Sequence, residues 1–185
     1  MALQQSSNDL VKKFDDLLYV VSQLFVMLAP NPMRDEPHLR NQLWDLMVPL
    51  EAATEQALKA ARVAAGAAGY PLDIDQLRQG LVDAQREYNV ISKIYLFELV
   101  FNPELAGLIQ TGRRGDPWRQ WALAVAASIA GCGQPLYDVS EALFQCWQEI
   151  VDRIGMNSVT VQTKAVGQEI SVPAAELRKV VERVG

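Results

Sequence analysis

The sequence predicts a mainly all-α fold, a multi-helix bundle of about five helices followed by a C-terminal β-hairpin and a short helix. Three observations predict it. Apolar residues recur every three or four positions through long segments. Those segments open on cap residues or proline and close on glycine or proline. After Asn157 the apolar period shortens from helical spacing to two.

The first helix is expected to open at Ser6-Ser7-Asn8-Asp9, all good N-cap residues, with Leu10, Phe14, Leu17, Leu18, Val21, Phe25 and Leu28 at helical spacing. Val20, Leu24, Val26 and Met27 make its second half apolar almost all round, so it needs cover on several sides. Pro30 and Pro32 stop it. The second helix starts at Asp35-Glu36-Pro37 and buries Leu39, Leu43, Leu46, Met47 and Leu50. Pro49 inside it is expected to kink or split it. Its alanine-rich part, Glu51 to Ala65, favours helix and close approach.

A third helix runs from Asp73 or Asp75 towards Phe101 and is broken by Asn102-Pro103, with one or two further turns over residues 104–110. Asp116-Pro117 starts a short, nearly all-apolar helix that Gly131 closes. The helix from Pro135 to Ile154 is the clearest amphipath, with Leu136, Val139, Leu143, Trp147, Ile150 and Ile154 on one face. The bundle domain is thus placed at 1–156. An appendage at 157–185 pairs Val159 and Val161 with Ile170 and Val172 in a hairpin, and a last helix carries Leu177, Val181 and Val184 on one side.

The 185-residue chain is 50% hydrophobic and 21% charged, enough to bury a core without a metal or disulfide staple. Its net charge of −5 argues against a protein that coats nucleic acid. No apolar stretch reaches the ~20 residues that span a bilayer, and the polar start lacks the pattern of a signal peptide. With Cys132 and Cys146 alone, a reduced, cytoplasmic protein is expected.

Catalytic patterns are missing. His38 is the single histidine, so triads and histidine metal pairs lack a member, and a solvated residue at a helix start is expected. Cys132 and Cys146 form no Cys-x-x-Cys pair and are expected to be structural thiols. Asp73-Ile74-Asp75 begins like a calcium loop, but position twelve is Ala84 rather than a bidentate glutamate. No phosphate-cradling glycine loop or nucleophile elbow is present. No cofactor or metal is expected. Glu98, inside Tyr95-Leu96-Phe97-Glu98-Leu99-Val100-Phe101, is the one carboxylate in strongly apolar surroundings, and a buried ion pair with Arg113 or Arg114 is expected.

Ser158-Val159-Thr160-Val161, then Gly167-Gln168-Glu169-Ile170-Ser171-Val172-Pro173 and Leu177-Arg178, resembles the swapped-hairpin module of AbrB-type DNA-binding proteins, over under a sixth of the chain. The resemblance implies an intertwined dimer that binds DNA through Lys164, Arg178, Lys179 and Arg183. The reading favoured by the residues themselves is a hairpin and helix that brace the bundle or pair with another subunit.

The function expected is a non-enzymatic adaptor or assembly module with a protein partner, forming a homo-oligomer through Val159, Val161, Ile170, Val172, Leu177, Val181 and Val184. The alternatives are a DNA-binding regulator using the C-terminal module, and a ligand-binding bundle or enzyme centred on Glu98.

Overall fold

The computed structural model describes residues 2–29, 37–69, 71–154, 179 and 182. Its elements are α1 (Ala2–Leu28), α2 (Pro37–Ala67), α3 (Ile74–Lys93), a π-helical turn (Ile94–Leu99), α4 (Pro103–Thr111), α5 (Pro117–Gly131) and α6 (Gly133–Ile154).

The long helices α1, α2, α3 and α6 form an antiparallel ring in which each packs on its two neighbours. Hydrogen bonds fix the directions. Gln4 Nε2 near the start of α1 donates to the Ala65 carbonyl near the end of α2, and Arg40 Nε at the start of α2 donates to the Leu28 carbonyl at the end of α1. Tyr88, late in α3, reaches the Leu136 carbonyl early in α6. The α4–α5 excursion packs at the end of the ring where α1 finishes and α6 begins. There Trp121 Nε1 donates to the Met27 carbonyl at 3.1 Å, and Val125 and Ile129 fill in between α1, α2 and the π turn. One apolar core runs through the whole, from Leu3 and Leu10 to Trp147 and Ile150.

The periodicity translates directly into this packing. Leu3, Leu10, Phe14, Leu17, Val21, Leu24 and Leu28 form the buried stripe of α1. In α2, Leu39, Leu43, Met47 and Leu50 give way to Ala53, Ala57, Ala61 and Ala64, and these small side chains let α3 come close. Asp73 caps α3 by accepting from the Gln76 amide at 3.0 Å, and Asn102 caps α4 from the Leu105 amide at 2.9 Å.

Several expectations need correction. The β component is not found: the structure is helical, with no strand among the described residues, and the fold class is all-α without the expected hairpin. Two rungs of valine and isoleucine are too little to make a hairpin stable in water, so a short alternation was a weak warrant for strands. The hairpin stretch 157–172 itself lies outside the described residues, as does most of the last helix, of which Lys179 and Glu182 are helical and exposed. The boundary between a 1–156 bundle and a 157–185 appendage also falls there.

Helix α1 begins at Ala2, not at the serines. The buried Leu3 draws the first turn into the core, and the Ser6 and Ser7 hydroxyls donate back to the Leu3 carbonyl rather than capping. Helix α2 runs through Pro49 without a split. Pro49 and Asp45 are both exposed, so water reaches the carbonyl that loses its amide partner, while Met47 and Leu50 hold the inner side in the core.

Candidate interaction surface

Glu98 sits in the π-helical turn, where the Val100 amide donates to the Tyr95 carbonyl five residues back, at 3.1 Å. Each residue of such a turn advances less than the about 100° of an α-helix. The wider turn carries Glu98 away from the Tyr95 side, and Tyr95 and Leu99 are buried while Glu98 is not. Glu98 is exposed, and so are Arg113 and Arg114. The expected buried ion pair among them is therefore corrected to three residues in solvent. The buried arginine is Arg119 in the first turn of α5, whose Nε donates to the Ile109 carbonyl at 3.3 Å. Its signal was its position between Trp118 and Trp121 in a nearly all-apolar helix. Gly115, at φ 93°, turns the loop before α5, and the Asp116 carboxylate accepts from the Arg113 amide at 2.9 Å instead of capping its own helix.

His38 is exposed at the start of α2, 3.2 Å from Glu104 of α4, and Gln42 Nε2 donates to the same carboxylate. The partner residues Val159, Val161, Ile170, Val172, Leu177, Val181 and Val184 lie outside the described residues.

Inside the bundle, the polar groups serve packing. The Tyr88 hydroxyl donates to the Leu136 carbonyl at 3.2 Å with Ser140 and Ser92 nearby, and burial pushes its pKa up to about 12, partly opposed by those serines. Burial likewise pushes the Cys132 and Cys146 thiols up to about 12. Cys132 Sγ donates to the Ser128 carbonyl at 3.4 Å, and Cys146 lies against Ser6 and Ser7 of α1. All three keep their protons near neutral pH, so none is a ready nucleophile or base. The apolar crevice between Leu24, Leu28, Leu43, Met47, Leu99, Val125 and Ile129 has no room for a water molecule. Among the described residues no three histidines, cysteines or carboxylates come together as a metal site, and no helix is long and apolar enough to cross a membrane.

Part of what the fold leaves outward is apolar. Phe97, 64% exposed, and Phe101, 60% exposed, stand one turn apart on the π turn and its continuation, with the exposed Val90 two turns before Phe97. On α1, Tyr19 and Val26 are exposed two turns apart, so the all-round apolar half of that helix is covered on only part of its circumference. The signal for Phe97 and Phe101 was in the sequence: a run such as Tyr95 to Phe101 is apolar around the whole helix, and the ring covers only one side of it. No protein-family model, curated protein or solved structure matches the chain.

Proposed function

We propose that this chain is a non-enzymatic protein-protein interaction module, an adaptor or assembly element that associates with itself in the cytoplasm. The observation that carries the reading is the Phe97 and Phe101 pair: two large aromatic rings, each mostly in solvent, on adjacent turns of a well-packed bundle. Single exposed apolar side chains are ordinary, but adjacent aromatics are what interface cores are made of. The buried thiols and phenol, held protonated, support a structural rather than a chemical role for the interior. Two free, buried cysteines suit a reducing compartment.

Sedimentation equilibrium of the full chain beside Phe97→Asp/Phe101→Asp tests the proposal. The full chain is expected above its 20.5 kDa monomer mass at high micromolar concentration, and the double variant at that mass with an unchanged helical spectrum. A full-length monomer at every concentration removes self-association from the reading.

A further inference from the structure

We draw no further inference here: the strongest candidate, the exposed apolar surface of Phe97 and Phe101 on the π-helical turn between α3 and α4, belongs to the site already described, and nothing in the structure shows what covers it.

Discussion

Gly80 of α3 meets Ala64 of α2 backbone to backbone: a β-carbon added at Gly80 would stand 2.8 Å from the Ala64 amide nitrogen and 2.9 Å from its β-carbon. Neither atom is the end of a flexible side chain, so a methyl group there must push the helices apart. Alanine gains up to ~1 kcal/mol over glycine in a helix interior, but overpacking typically costs about 1 to 3 kcal/mol. Gly80→Ala is therefore expected to destabilise the chain. Gly107→Ala, in α4 with nothing within 4 Å of its added carbon, should stabilise it slightly. Urea midpoints measure both, and two shifts of the same sign contradict the close approach.

Trp147 fills the α6 side of the core, with 2% of its surface exposed. Its truncation to alanine should cost about 3 to 5 kcal/mol, as large aromatic deletions in cores do. The indole Nε1 is buried with no hydrogen-bond acceptor among the described residues, so it contributes desolvation without return. Trp147→Phe should thus retain well over half of the stability that Trp147→Ala loses, although the ring is smaller. Equal losses in the two unfolding curves would mean that the indole itself, and not the apolar volume it fills, holds the site.

Most of the helical architecture was legible because a buried stripe repeats at 3.6 residues whatever surrounds it: Leu10, Phe14, Leu17, Val21 and Leu28 read the same in the sequence and in the bundle, whereas Leu18 and Phe25 of the expected stripe are only partly buried and Leu24 takes a place in it. The environment of Glu98 was not legible. A run that is apolar on all sides leaves the inward face undetermined, and the π turn that rotates Glu98 outward has no sequence period of its own. The start of α1 was missed for a similar reason. Serine caps helices and also bonds back to carbonyls within them, and the choice at Ser6 and Ser7 was made by burial of Leu3. Phe97 and Phe101 were inside the same run: its all-round apolar character signalled that some of it must stay uncovered, and the packing of the helices decided that these two do.

Stability should fall steeply in alkali. In the unfolded chain the thiols lose their protons near 9.0 and the phenol near 10.0, whereas Cys132, Cys146 and Tyr88 hold theirs to about 12 in the fold. Below pH 9 both states are protonated, and the stability is whole. As pH rises from 9 towards 12 the unfolded state releases protons that the native state keeps, so unfolding is favoured by up to about 1.4 kcal/mol per pH unit for each group. Urea midpoints should be flat to about pH 8 and then decline, and Cys132→Ala should lessen the slope. A midpoint unchanged up to pH 11 would show that these groups titrate as freely in the fold as outside it.

The bundle is expected to fold without the last segment. The core from Leu3 to Ile150 is contributed by α1 to α6, so a chain ending at residue 156 should keep its helical spectrum and melt cooperatively. A molten or insoluble product would mean that the remaining residues belong to the core.

Phe97 and Phe101 separate a surface role from a structural one. Both rings lie mostly in water, so their removal leaves no cavity, and Phe97→Ser/Phe101→Ser should change stability by no more than about 0.5 kcal/mol, the range of ordinary surface substitutions. The same substitutions in a self-association interface remove two aromatic anchors, whose individual loss typically costs 2 kcal/mol or more of binding, about thirtyfold in affinity. The pair of measurements is decisive because core packing would move the first and leave the second alone. A parallel variant, Ile170→Asp/Leu177→Asp, asks the same of the C-terminal stripe. Dissociation by the phenylalanine variant alone assigns the contact to the π turn, and dissociation by the aspartate variant alone assigns it to the tail. An oligomer that neither variant disturbs, at full stability, refutes both surfaces.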